Sequence, residues 1–367
     1  MRVAVVAPPW FKIPPRGYGG IEVVIHLLVE GLVDRGHEVF LCTVSGSSTR
    51  ATQHTIFDRE MKDYLDAPPS SFLNIALTHS LSCYLEISKQ DCDIVHDHTW
   101  KEGLLAASFI EEPVVHTVHG PFDEENERFY RLFKGRKRMH FVTISDFHQS
   151  CLPGLNYAGT VYNGILLDKY PFSTKKEDFF FYIGRFNEEK APHLACEVAK
   201  ELGARLVLAG KVHEEEERRY FDEYIIPHLS TDIQFIGELG QWSNEKMRLF
   251  SRAKGYLYPI QWDEPFGITM VEAMACGTPV VTFKRGAAPE IVQHEATGFV
   301  VETMDEFIAA VHHVDEIDPQ ECRNRVEELF TAEIMVDGYE RIYQAILGIE
   351  EETERQVDEQ LSEKSIR

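Results

Sequence analysis

The chain has 367 residues, 44% of them hydrophobic, which suffices for two domains of about 170 residues with their own buried cores and excludes wholesale disorder. Acidic residues outnumber basic ones by 60 to 37, a formal charge of −23 that argues against nucleic acid as the main partner, although a local cationic cluster can still bind an anion. No apolar run reaches the roughly 18 residues needed to span a bilayer. The opening MRVAVVAPPW runs from a short apolar stretch straight into Pro8 and Pro9, and so reads as a buried strand and not as a secretory signal. Seven cysteines, at 42, 83, 92, 151, 196, 276 and 322, show no CxxC or zinc-like spacing, the pattern expected of free thiols in a reducing cytoplasm.

In chain order, VAVVA (3–7) predicts a strand, followed by a Pro- and Gly-rich loop up to Gly20. Ile21, Val24, Ile25, Leu28 and Leu32 recur at helical spacing, and Gly36 closes that segment. EVFLCTV (38–44) predicts a strand, then come a polar stretch, a helix over 72–88, and strands near 93–97, 114–118 and 141–144. LDKYPFSTKKED (167–178) suits a linker, after which strands are expected at 179–183, 206–209, 234–236, 255–258 and 279–283, with helices between them. Alternating apolar strands and amphipathic segments imply parallel sheets covered on both faces. The expected organisation is two α/β doubly wound, Rossmann-like domains, about 1–170 and 175–345, with a polar charged tail over 346–367.

Three segments carry chemistry. In the run Glu264-Pro-Phe-Gly-Ile-Thr-Met-Val-Glu272, Glu264 falls in a loop and a helix starts near Gly267, offering free N–H groups and a positive dipole end to an anion. Glu272, just inside that helix, could accept hydrogen bonds from a vicinal diol such as a ribose, though two ordinary helix glutamates would look the same. In FYIGRFNEEKAPHLA (181–195) an apolar strand ends at Gly184, and Arg185 and Lys190 follow in the turn, where open α/β sheets bind ligands and two cations suit a diphosphate. A solvated turn is the plainer alternative, and neither cation there is needed to fill a core. GYGGIE (17–22) sets Gly19 and Gly20 before the first helix, where backbone can approach a phosphate, but it matches the dinucleotide fingerprint only loosely.

In this order the segments resemble the nucleotide-sugar glycosyltransferases of retaining family 4, which have the GT-B fold. The resemblance runs from residue 1 to about 345 and includes GGIE…RGHEV, DIVHDH (93–98), VVHTVHG (114–120) and VYNGI (161–165). It continues through GRFNEEK (184–190), FIGEL (235–239), the Glu264-to-Glu272 run and PEIV…TGFVV (289–301). It implies a hexosyltransferase that uses a UDP- or GDP-sugar and an unidentified hydroxyl acceptor, with no cofactor and no metal. Arg185 and Lys190 would hold the diphosphate beside Gly184, Glu272 the ribose, and Glu264 with the backbone of Phe266, Gly267 and Ile268 the donor sugar. Gly19 and Gly20 would cover the diphosphate, and His119 would donate a hydrogen bond to a sugar hydroxyl near the reacting carbon, with His98 at the neighbouring strand end lining the cleft. Two departures stand out: Pro259-Ile260 where Pro-Ser is usual, and Gly286-Ala287-Ala288 where Gly-Gly precedes Pro-Glu.

Rival readings remain. Asp91-Cys92-Asp93 spells a metal-binding DxD, and His96, His98, His116 and His119 could build a zinc site, although His96 and His116 are as well explained as satisfied within the fold. The basic, aromatic Arg128–Arg138 stretch could dock on an anionic membrane, but a surface helix with inward aromatics and solvated charges is favoured. A nucleotide-sugar epimerase or a non-catalytic sugar-nucleotide binder would share the architecture. The first would convert donor without acceptor, and the second would not need the full set of charged groups.

Overall fold

The computed structural model describes residues 1–17, 19–65 and 67–349. Its strands are β1 (Arg2–Val6), β2 (Glu38–Thr43), β3 (Thr52–Thr55), β4 (Ile94–Asp97), β5 (Val114–Val118), β6 (Met139–Thr143) and β7 (Tyr157–Thr160), then β8 (Glu177–Ile183), β9 (Leu206–Ala209), β10 (Ile233–Phe235), β11 (Ala253–Tyr258), β12 (Val280–Phe283) and β13 (Gly298–Val301). They form a seven-stranded sheet ordered β3-β2-β1-β4-β5-β6-β7 and a six-stranded sheet ordered β10-β9-β8-β11-β12-β13. Every pairing is parallel, for example Val3 with Val39 and with Ile94. Central strands such as β4 and β5 are buried along their whole length, because helices cover both faces and each residue must be apolar or internally bonded. Each sheet reverses its strand order beside its first strand, and loops at the C-terminal strand ends there form the ligand crevice of such folds.

Strands β3 and β7 fall in stretches that carry no apolar pattern. TQHT and YAGT are half-exposed sheet edges, where only one side needs to be buried, so alternation is weak. β13 lies within the TGFVV motif.

The chain passes between the two sheets twice, and the two crossings touch. Ile165 N–H donates to Phe330 O at 2.9 Å, and Ala332 N–H donates to Ile165 O at 2.9 Å. A Cβ on Gly164 would lie 2.4 Å from Thr331 O, so the crossing needs glycine there. The last helix, Ala332–Leu347, then leaves the second sheet and packs on the first. Its Met335, Val336, Tyr339 and Tyr343 share a core with Val5, Val24, Leu28 and Val115. Arg35 pairs with Asp337 and with Glu340, the latter at 2.6 Å, and His37 meets Glu340 at 2.9 Å. The segment expected to close the second unit thus belongs by packing to the first. The helix runs two residues into the expected 346–367 tail, and residues 350–367 of that tail lie outside the described residues.

Gly31 sits mid-helix in Gly20–Asp34, where the last helix crosses, and a Cβ there would lie 2.6 Å from Val336 Cγ2. Helix propensity alone favours Gly31→Ala by about 1 kcal/mol. The packing reverses the sign: Gly31→Ala should destabilise by about 1–3 kcal/mol in urea unfolding, and adding Val336→Ala should relieve much of the strain. A more stable Gly31→Ala protein would show that the two helices do not pack this closely.

Candidate active site

The second unit builds one wall of the cleft from the ends of β8, β9 and β11. Chain segments approach closely there: a Cβ on Gly210 would lie 2.0 Å from Gly184 O, and one on Gly184 would lie 2.8 Å from the Tyr182 hydroxyl. Gly267, at φ +86°, starts the helix Ile268–Ala275 without a side-chain cap, so first-turn N–H groups stay available for an anion. Phe266 is buried and packs against Tyr162 and Phe330, which fixes the loop that delivers Glu264.

Glu264 is buried and held through one oxygen. Its Oε2 accepts from Tyr258 OH at 2.7 Å and from Trp262 Nε1 at 3.1 Å, and it forms an ion pair with Lys190 Nζ. The ammonium also lies over the Tyr258 and Trp262 rings, at 5.5 and 4.7 Å from their centroids. Burial lowers the Lys190 pKa and the Glu264 carboxylate opposes that shift. Glu264 Oε1 accepts no hydrogen bond from the described residues. Gly286 supports this arrangement, since a Cβ on it would lie 2.3 Å from both Glu264 N and O, and Ala287 N–H donates to Glu264 O at 2.8 Å. The departure at 286–288 therefore keeps the glycine that the close approach needs.

Glu272 repeats the pattern. Its Oε1 accepts from Tyr170 OH at 2.7 Å, Lys246 Nζ at 2.8 Å and Gln241 Nε2 at 3.0 Å, while Oε2 accepts nothing from the described residues. Lys246, Gln241 and Tyr170 carry no motif in the sequence. One signal was present: Lys246 lies in the first turn of the helix Asn244–Arg252, where a cation opposes the helix dipole and needs a carboxylate partner.

Arg185 is about one-third exposed and pairs with Glu189 at 3.0 Å. Lys190, in the same turn, is more enclosed than Arg185, with its side chain 12% exposed and tied across to Glu264, because the turn carries it inward ahead of the helix Pro192–Leu202.

Opposite these groups, β4 and β5 deliver four histidines. His98 Nδ1 lies 2.9 Å from His119 Nε2, and His98 is fully buried behind His119. His96 meets Tyr343 OH at 2.5 Å and Thr117 Oγ1 at 2.7 Å, and His116 Nδ1 lies 3.4 Å from Asp97. Desolvation drives His119 down to about 3 and His96 and His98 well below the ordinary histidine range, so these three rings are neutral at pH 7. Among the described residues no group of three or more His, Cys, Asp or Glu side chains is arranged so that it could hold a metal ion.

The glycine loop of the first unit closes over the second. Gly17, Gly19 and Gly20 face Gly184, Gly210, Gln241, Lys246 and Glu272 across a cavity of about 120 Å³. Gly19, at φ +148°, leaves no room for a side chain, since a Cβ would lie 2.8 Å from Pro15. Ser145 Oγ donates to Pro265 O at 2.7 Å, and Glu290 accepts from Asp146 and Phe147 N–H at 2.9 and 2.5 Å, so the Glu264 loop also touches the first unit. His119, Arg185, Lys190 and Glu264 lie outside the lining of the 120 Å³ cavity.

Two motifs lie elsewhere. Asp91 and Asp93 both pair with Arg2 beside the N-terminal ends of β1 and β4, away from the strand ends that form the cleft. In the basic stretch, Arg128, Arg131 and Arg138 pair with Glu124, Glu127 and Glu111, and Tyr130 and Phe133 are buried.

Two Rossmann-like parallel-sheet units facing across a cleft are the GT-B architecture of sugar transferases. Two family models match adjoining parts of the chain: "Glycosyltransferase Family 4" over residues 18–168 and "Glycosyl transferases group 1" over residues 168–328. The chain belongs to this family of glycosyltransferases. It is 26% identical over 348 residues to a glycogen synthase of Mycobacterium tuberculosis, covering 81% of each chain. It is 24% identical to the O-antigen chain mannosyltransferase C of Escherichia coli, covering 91% of this chain and 96% of that one. Among solved structures, HepE of Anabaena in complex with UDP and glucose superposes with a TM-score of 0.72 at 16% identity, over 93% of this chain and 98% of that one.

The buried Lys246–Glu272 pair makes a prediction about stability. Glu272→Ala leaves an unpaired ammonium in the interior and should cost about 3–5 kcal/mol in urea unfolding, as should Lys246→Ala. The double variant should lose less than the sum of the two by more than about 1 kcal/mol, and additive losses would show that the pair is not coupled.

Proposed function

We propose that this glycosyltransferase moves a hexosyl group from a nucleoside-diphosphate sugar, UDP- or GDP-linked, to an acceptor hydroxyl, with retention at the anomeric carbon and without a metal ion or other cofactor. The observation that carries the proposal is the paired carboxylate arrangement. Glu264 and Glu272 are each fixed by three donors on one oxygen, and each leaves the other oxygen for a ligand. Glu272, on the cavity wall beside the helix end, suits the ribose hydroxyls, and Glu264 suits hydroxyls of the donor sugar. Retention rests on the family resemblance.

In this reading the bond from the anomeric carbon to the diphosphate oxygen breaks and a bond to the acceptor oxygen forms. The acceptor proton passes to the departing phosphate, so no separate base is required. Charge that gathers on the leaving diphosphate is met by Arg185, Lys190 and the N–H groups at the start of Ile268–Ala275, groups fixed before the reaction begins. Neutral His119 donates to a sugar hydroxyl. The 120 Å³ cavity is smaller than the roughly 300 Å³ minimum typical of small-molecule sites, so donor entry requires Gly19 and Gly20 to draw away from Gln241 and Glu272. The free cysteines fit a reducing compartment, and we place the enzyme in the cytoplasm. No described helix is long and apolar enough to cross a membrane.

Arg185 gives the cleaner test of diphosphate stabilisation, because Lys190→Ala would also strand the Glu264 carboxylate. Arg185→Ala should change stability by only about 0.5 kcal/mol. Assayed in EDTA against UDP- and GDP-sugars, the wild type should turn over and the variant should lose about a hundredfold in kcat/KM. Equal rates for the two proteins, or wild-type turnover that EDTA abolishes and manganese restores, would contradict the proposed chemistry. Conversion of donor without acceptor would instead favour an epimerase.

A further inference from the structure

β4 and β5 are neighbours in register, with His96 opposite Val115 and Asp97 opposite His116. Alternation therefore turns His96 and His98 to the same face as Thr117 and His119. On that face His96 is spoken for at both ring nitrogens, by Tyr343 from the last helix and by Thr117. The His98 ring is stacked between its neighbours, 4.0 Å from the His96 centroid and 5.2 Å from that of His119. It is fully buried and shares one contact, Nδ1 to His119 Nε2 at 2.9 Å. Its other nitrogen, Nε2, is buried with no partner among the described residues.

A neutral imidazole carries a single N–H, and the two nitrogens of the His98–His119 contact can share only one proton between them. If His98 carried its proton on Nε2, a buried N–H would be left without an acceptor. With the proton on Nδ1, only a lone pair goes unmet, and orphaned N–H groups are the rarer defect in folded proteins. His98 is therefore the donor and His119 Nε2 the acceptor. The remaining proton of His119 must then sit on Nδ1, which no described residue engages.

We infer that His98 is a positioning residue: its Nδ1–H fixes His119 in the tautomer whose Nδ1–H is free to donate to a hydroxyl of the donor sugar. The sugar role rests on the function proposed above, whereas the tautomer does not. His98 itself never touches substrate. Tyr343 and Thr117 hold His96 behind it, so the last helix, which crosses over from the second unit, backs the histidine stack.

Long-range proton–nitrogen NMR spectra of the full chain, labelled with nitrogen-15 in histidine and recorded at pH 7.5 without substrate, read the tautomer directly. His119 is assigned from the signal missing in His119→Ala. The expected result is a protonated Nδ1 and a bare Nε2 at His119. His98→Leu should lose that preference and lower kcat about tenfold or more, with donor KM changed by no more than about threefold. His98→Asn, whose amide can donate from the same place, should restore the Nδ1–H signature and part of kcat. A wild-type spectrum with the proton on His119 Nε2 would overturn the inference, as would a folded His98→Leu protein with wild-type kcat. If the leucine variant does not fold, the wild-type spectrum decides. A protonated Nδ1 in a protein whose kcat is untouched by His119→Ala would support the tautomer and reject the sugar contact.

Discussion

A carboxylate taken out of water must be matched by donors or lose its charge, and the second unit satisfies this requirement twice within nine residues of sequence. Glu264 draws Lys190, Tyr258 and Trp262 around one oxygen, and Glu272 draws Lys246, Gln241 and Tyr170. These partners come from β11, from three loops, from the turn after β8 and from the helix Asn244–Arg252. Matching the carboxylates therefore fixes the relative placement of those segments. The geometry of the helix end, the close approach at Gly286 and the inward path of Lys190 all follow from it.

The first unit is organised around a different buried polar set. Its histidines lie at the C-terminal ends of two fully buried strands, where desolvation keeps His96, His98 and His119 neutral, and the contacts of His96 with Thr117 and Tyr343, with Tyr339 bonded in turn to Thr117, replace water. Two of those partners belong to a helix that follows the second unit in sequence but packs on the first. The fold thus ties the two walls of the cleft together at the Ile165–Thr331 crossing and again behind the histidines.

Much of this was legible in the sequence. Fully apolar runs such as VAVVA and YLY mark strands buried on both faces, and glycines at 19, 184 and 267 mark the places where backbone must come close or turn. The edge strands β3 and β7 were not legible, because a half-exposed TQHT or YAGT has no period to read. Nor was the return of the last helix to the first sheet, which depends on contacts between residues some 300 positions apart such as Arg35 and Glu340. At the site, charge and spacing picked out Arg185, Lys190, Glu264 and Glu272. They could not show that Lys190 faces Glu264, that Lys246 faces Glu272, or that His98 stands behind His119. Those pairings arise between distant segments, and a local pattern holds no trace of them.

The central claim is that the cations and the helix end recognise a diphosphate while Glu272 holds the nucleoside end. Calorimetric titration of wild type and Arg185→Ala with UDP and GDP, and with the matching nucleosides, separates the two contributions. The account predicts that one diphosphate binds well and loses about tenfold or more in affinity in the variant, on the scale of one charged hydrogen bond, while the nucleoside binds both proteins equally. Equal diphosphate affinity in the two proteins, with the variant folded, would place the donor site elsewhere.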